Sequence, residues 1–151
     1  HEIALIDSLQ PSEVAVLLCH QHHEIAPWGE LLSTRSQYLK AAGCLTDGSV
    51  RDVKRIRQMN FPVFAGNIGP LDSKHRGKLM WYDVPGKIHG VNVNSGDFIF
   101  GDVDGVVIVP QQITAEVVEK ALQKVREENQ VRGMLENGVS LAKAFEEHGI
   151  L

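Results

Sequence analysis

The chain has 151 residues, 43% hydrophobic and 23% charged, a balance that fits one globular domain with its own core and excludes a disordered segment. A formal net charge of −4 and a pI near 6.0 exclude a nucleic-acid binder that works through a broad basic surface. No apolar run reaches the roughly 18–20 residues that span a bilayer, and His1-Glu2 before Ile3-Ala4-Leu5-Ile6 is not the pattern of a secretory leader.

Ile3 to Leu9 predicts a short helix, broken by Gln10-Pro11-Ser12. Val14 to Cys19 is six apolar residues in a row, which predicts a strand buried on both faces. His20-Gln21-His22-His23-Glu24 beside Cys19 has metal-ligand chemistry but no paired second half, so it reads as a solvated loop after the strand. Cys19 and Cys44 read as buried free thiols in a reducing compartment, with a disulfide as the alternative, and this predicts a cytoplasmic protein.

Pro27-Trp28-Gly29-Glu30-Leu31-Leu32 opens a predicted helix to about Ala42, with Leu31, Leu32, Tyr38, Leu39 and Ala42 on one face. Gly29 stands at its mouth. The first amides of a helix lack internal partners and bind anions, and glycine lets a ligand approach them closely. Gly43 is expected to end the helix. Cys44-Leu45-Thr46 then predicts a short strand and Asp47-Gly48 a turn, followed by a helix over 51–59 with Val53, Ile56 and Met59 inward. Phe61 to Ala65 is the next strand. Alternating strands and helices imply a parallel sheet, with ligands outside the carboxyl ends of its strands.

Asn67 to Lys78 is a Gly-, Pro- and Lys-rich stretch, read either as a loop closing over an anion or as a linker. Short β segments follow at Leu79–Val84, Lys87–Val93, Asp97–Phe100 and Gly105–Val109, separated by turn signals. Asp102 and Asp104 carry only a fragment of a calcium-loop pattern and read as turn residues. From Thr114 to Asn137-Gly138 the chain is helical, with Val117, Val118, Ala121, Leu122 and Val125 along one face. This helix is either a docking arm for a neighbouring subunit or a cover for the sheet. Ser140 to His148 forms a last helix that stops at Gly149.

Arg51-Asp52 is the chemically densest pair. A guanidinium can grip a carboxylate through parallel hydrogen bonds, and a carboxylate can hold a hard divalent cation. With Gly29 opening on the same side of the sheet, Arg51 is expected as a substrate clamp and Asp52 as a metal ligand, rather than as each other's ion pair.

Five blocks, in order and spacing, resemble the RraA-like family. They are Trp28-Gly29-Glu30-Leu31-Leu32, Thr46-Asp47-Gly48-Ser49-Val50-Arg51-Asp52, Phe61-Pro62-Val63-Phe64-Ala65, Val91-Asn92-Val93-Asn94-Ser95-Gly96-Asp97, and Gly101-Asp102-Val103-Asp104-Gly105-Val106-Val107-Ile108-Val109-Pro110. That family comprises regulators of ribonuclease E activity and 4-hydroxy-4-methyl-2-oxoglutarate aldolases, and its members are often mislabelled as demethylmenaquinone methyltransferases. The resemblance implies a single α/β domain over residues 1–151, without the family's usual N-terminal section. The implied fold is an α/β/β sandwich similar to swivelling phosphohistidine domains, assembled as a homotrimer or a hexamer.

In the aldolase branch the site lies between subunits. The resemblance implies that Gly29, Glu30, Leu31 and Leu32 present backbone amides to pyruvate. It likewise implies that Arg51 contacts the substrate oxo acid and that Asp52 binds Mg²⁺ or Mn²⁺. Glu128 is the nearest match to a carboxylate supplied by the neighbouring subunit, with Glu127 beside it. No lysine lies in an apolar setting suited to a Schiff base, so a metal is expected to stabilise the enolate left by retro-aldol cleavage. Oxaloacetate decarboxylation passes through the same enolate and is an expected side activity. Aldolase members tend to carry an acid three positions after the metal-binding Asp; here that residue is Arg55, which puts the specific substrate in question. The alternative is a non-catalytic binding protein of the ribonuclease-regulator type. Against it, the ribonuclease regulators lack the Asp matching Asp52.

Overall fold

The computed structural model describes residues 2–20 and 22–149. The chain forms two compact units, His1–Ile108 and Val109–Leu151.

The first unit is built on a parallel sheet. Its elements are α1 (Glu2–Ser8), β1 (Val14–Leu17), α2 (Glu30–Tyr38), β2 (Gly43–Val50), α3 (Val53–Met59) and β3 (Val63–Ile68). Strand order is β1-β2-β3 and both pairings are parallel, as the alternation of strands and helices implies. The central strand β2 is buried along all eight residues. Ile6, Ala15, Leu17, Trp28, Cys44, Val50, Ile56 and Phe61 form the core around it. α3 buries Ile56, with Val53 and Met59 packed against the same cluster, as their spacing predicts.

Several boundaries differ from the sequence reading. β1 stops at Leu17 and alternates, with Ala15 and Leu17 buried and Val14 and Val16 half-buried. Burial follows the two-residue pleat, one face of the strand lying against the core. α2 stops at Tyr38, and Lys40 takes the left-handed conformation (φ 64°) that ends it; Gly43 instead opens β2. The buried face of α2 is made of Ser33 and Ser36, while Leu31 and Tyr38 are exposed.

The expected Asp47-Gly48 turn does not form. β2 runs through both residues. Thr46 pairs with Ala65 and Ser49 with Asn67, so β2 carries one residue more than β3, a β-bulge. A Cβ on Gly48 would lie 2.6 Å from Cys19 Sγ and 3.0 Å from the Ile25 carbonyl, so the close approach requires glycine. Asp47 is buried, and its Oδ1 accepts the Cys19 N–H at 2.5 Å. Asp-Gly makes a turn when the chain is free to reverse; here ladder pairs just before it, at Thr46, and just after it, at Ser49, keep the strand running through.

Leu79–Val84 forms no strand, and Met80, Trp81, Tyr82 and Val84 are exposed. The expected strand over 87–93 is a hairpin of β4 (Gly86–Ile88) and β5 (Val91–Val93), in register Lys87 to Asn92. Its two turn residues, His89 (φ 45°) and Gly90 (φ 87°), both have positive φ, as a tight hairpin demands. β6 (Phe98–Asp102) pairs with β7 (Gly105–Val109). Asp102 Oδ1 accepts the Asp104 N–H at 2.8 Å, so these aspartates form the expected turn.

The second unit holds α4 (Thr114–Glu136) and α5 (Leu141–His148), which pack on each other with Val131 and Ala144 buried. Ser140 caps α5, and Gly149 (φ 66°) ends it. On α4, Leu122 and Val125 are about half exposed (53% and 50%), so the outer part of the apolar stripe is open. No helix among the described residues is long and apolar enough to cross a membrane.

Candidate functional site

Three chain segments meet beyond the carboxyl end of β2. The first is the strip from Ala26 to Glu30. Trp28 makes a parallel bridge to Val50, and its carbonyl accepts the Arg51 N–H at 3.0 Å. The second is Arg51-Asp52, where β2 passes into α3. The third is Leu71-Asp72: Ala26 bridges Asp72 and donates its N–H to the Leu71 carbonyl at 2.8 Å.

Trp28 is fully buried and fixes the first segment. Its indole Nε1 donates to Ser33 Oγ at 2.8 Å, Ser33 Oγ donates to the Gly29 carbonyl at 3.0 Å, and the ring stacks 6.2 Å from Phe61. Gly29 is the N-cap of α2 in an extended conformation and supplies no capping side chain. The amides of Leu31 and Leu32 therefore form the open, positive end of the helix, while the Glu30 N–H donates to Asp52 Oδ2.

Asp52 occupies the left-handed region (φ 59°, ψ 27°), a costly conformation for a residue with a side chain. It is the N-cap residue of α3, but its side chain does not cap the helix. Its Oδ2 instead accepts the Glu30 N–H at 3.1 Å and Arg51 Nη1 at 2.8 Å. The sequence reading paired Arg51 and Asp52 with ligands only; the structure pairs them with each other, because the left-handed turn at Asp52 brings its carboxylate back toward Arg51. A Cβ on Gly29 would lie 2.7 Å from Asp52 Oδ2 and 3.1 Å from Arg51 Cγ and Cζ, so glycine is what lets these groups close on one another.

Arg51 reaches a second carboxylate, with Nη2 3.3 Å from Asp72 Oδ2. Asp72 Oδ1 accepts the Lys74 N–H at 2.6 Å. That hydrogen bond, with Arg51 beside it, holds the Asp72 carboxyl below the usual carboxylate range. Burial raises the Glu2 carboxyl at the start of α1, and the Asp72 charge adds to the rise. Sequence reasoning missed Asp72 and Glu2. The Asp-Ser-Lys of an Asx turn was the only local signal for Asp72; nothing local marked Glu2.

The other expected positions fall as follows. Leu31 is exposed and Leu32 packs against the core. Arg55 is exposed in the first turn of α3, its N–H on the Asp52 carbonyl at 2.9 Å. Glu128 lies on α4 in the second unit, 3.6 Å from Lys124 Nζ, and Glu127 accepts from Gln123. His22 and Glu24 form an exposed pair at 3.8 Å, while His23 Nδ1 meets the Asp47 carbonyl at 2.9 Å and stacks on His89. Cys19 and Cys44 are free thiols, both pushed up by burial, Cys44 strongly.

The arrangement can seat an anion: open amides, a guanidinium and a glycine cradle converge. It also offers partly exposed carboxylate oxygens, in Asp52 and, on the other side of Arg51, in Asp72. Among the described residues no three His, Cys, Asp or Glu side chains gather for a metal. A single carboxylate nevertheless fits Mg²⁺ or Mn²⁺, hard cations that draw much of their shell from waters and substrate oxygens.

The mixed α/β fold brings the amino end of α2, Arg51 and Asp52 together beyond the end of a parallel sheet. The profile of the RraA-like family, described as Aldolase/RraA, matches residues 2–108, and the chain belongs to that family. It is 32% identical over 143 residues to Protein DlpA of Legionella pneumophila, covering 95% of this chain and 23% of DlpA. It is 36% identical over 70 residues to the 4-hydroxy-4-methyl-2-oxoglutarate aldolase of Thermus thermophilus, covering 46% of this chain and 42% of that enzyme. Among solved structures, an uncharacterized protein from Pseudomonas syringae superposes with a TM-score of 0.89 at 29% identity, over 92% of this chain and 70% of that one. Streptomyces coelicolor RraAS2, described as an unusual member of the RNase ES inhibitor RraA family, superposes with a TM-score of 0.77 at 28% identity, over 86% and 66%. The chain thus spans less than half the length of the two curated relatives.

Proposed function

We propose that this chain is a divalent-metal-dependent aldolase that cleaves a 4-hydroxy-4-methyl-2-oxoglutarate-like oxo acid to pyruvate, with oxaloacetate decarboxylation as a side activity. The observation that supports it most is the junction of the α2 amino end with Arg51-Asp52, through the Glu30 N–H on Asp52 Oδ2. Arg51 and the amides of Leu31 and Leu32 bind and orient the substrate carboxylate. Asp52 would hold Mg²⁺ or Mn²⁺. When bound, the cation supplies Lewis-acid stabilisation of the charge that develops on the 2-keto oxygen. Glu128 of a neighbouring copy in a homotrimer or hexamer would complete the site. The aldolase named among the relatives supports the same reaction class.

A coupled pyruvate assay with Mg²⁺ or Mn²⁺, with and without chelator, tests this reading. Release from oxaloacetate or 4-hydroxy-4-methyl-2-oxoglutarate should need the metal, and Asp52→Ala should lower kcat/KM by about 10²-fold or more. No metal-dependent release from either acid removes these activities. A ribonuclease interaction that survives Asp52→Ala would favour the regulator reading, to which the RraAS2 likeness lends weight.

A further inference from the structure

Arg51 is held from two sides. Asp52 takes Nη1 at 2.8 Å and Asp72 takes Nη2 at 3.3 Å. The two carboxylates are not equivalent. Asp52 is adjacent in the chain and already bonded to the Glu30 N–H. Asp72 arrives from a separate loop, twenty-one positions on. It is also a fixed post. Its Oδ1 is tied to the Lys74 N–H, its carbonyl accepts Arg76 Nη1 at 3.2 Å, and its backbone bridges Ala26, two residues before Trp28.

We propose that Asp72 is a positioning residue that orients the Arg51 guanidinium toward the substrate carboxylate. The inference rests on the reading of Arg51 as the substrate clamp. Under that reading Asp52 must serve a cation, and a carboxylate shared with a cation holds an arginine less firmly. Asp72 keeps one end of the guanidinium in place regardless of what Asp52 binds. Because Ala26 ties Asp72 to the strip that carries Gly29, the same post sets Arg51 in register with the open amides of α2. The Lys- and Arg-rich stretch at 72–78 thereby acts on the anion indirectly, by holding Arg51, rather than by closing its own cations over the ligand.

Asp72→Asn tests this. The amide oxygen still accepts the Lys74 N–H, so the turn is kept, while the charge facing Arg51 is lost. With oxaloacetate, KM should rise about tenfold and kcat should change less than about threefold, the pattern of a lost ground-state grip. The melting temperature should stay within about 2 °C, since the side chain is 44% exposed. An unchanged KM overturns the proposal, as does a KM rise accompanied by an equal loss in an Asp52-dependent metal titration. The hold itself is read separately by ¹⁵N NMR of the Arg51 side chain. Its Nη signals should be resolved in the wild-type protein and merge through faster rotation in Asp72→Asn. If the wild-type protein releases no pyruvate, the aldolase reading fails while this spectrum still decides the positioning role: identical Arg51 spectra in the two proteins overturn it.

Discussion

At the scale of single residues, Gly29 and Asp52 set the geometry of the proposed site. Gly29 is extended (φ −158°), a backbone any residue adopts, so its identity is set by space rather than by conformation. An alanine there would press its Cβ on Asp52 Oδ2 and on Arg51. Gly29→Ala should therefore lower pyruvate release about 10²-fold through misplacement of those groups, with only a small change in melting temperature. Steady-state kinetics beside a thermal melt checks this; near-wild-type turnover would show that the close packing has no functional weight. Asp72 adds a pH signature. Its carboxyl is depressed, so the stability it contributes is present at neutral pH and is lost only as pH falls below the usual carboxylate range. The gap in melting temperature between wild type and Asp72→Asn should hold steady on acidification and close only below that range.

At the scale of elements, the amino end of α2 is held by a relay from the core. The Trp28 indole N–H reaches Ser33 Oγ, and Ser33 Oγ reaches the Gly29 carbonyl, all of it buried. Ser33→Ala leaves the indole N–H without its acceptor and should cost about 1–3 kcal/mol in urea unfolding. Trp28→Phe removes the donor as well as part of the ring. The double variant should cost less than the sum of the singles, since the unmatched donor is then gone; strict additivity would show that the bond contributes nothing. The β-bulge at Asp47-Gly48 acts at the same scale. One extra residue in β2 shifts the strand between Thr46 and Ser49 and so determines where Arg51 emerges.

At the scale of the whole molecule, the proposed reaction draws on two copies, with Asp52 from one and Glu128 from the next. Asp52→Ala and Glu128→Gln should each be nearly inactive alone. Refolded together in equal amounts, they should recover about one quarter of wild-type activity, because in a cyclic assembly that fraction of sites receives both intact residues. No recovery, in a mixture shown to hold mixed oligomers, would remove Glu128 from the site. The open apolar positions Leu122 and Val125 lie on the same helix as Glu128.

The sequence alone determined the family and the parallel pairing of the first three strands, because five ordered motifs and strand-helix alternation are local signals; it also named Gly29 and Arg51-Asp52 as the candidate anion seat from a glycine at a helix mouth and an Arg-Asp at a strand end. It also determined the inward face of α3 and the stop of α5 at Gly149, where apolar spacing and a glycine act within a few residues. Only the tertiary structure decided that Asp47-Gly48 stays extended, since that depends on ladder partners far away in the chain. It alone decided that α2 buries Ser33, whose hydroxyl accepts the Trp28 indole N–H. It alone placed Asp72 on Arg51, since that contact joins two loops that no periodicity or motif connects.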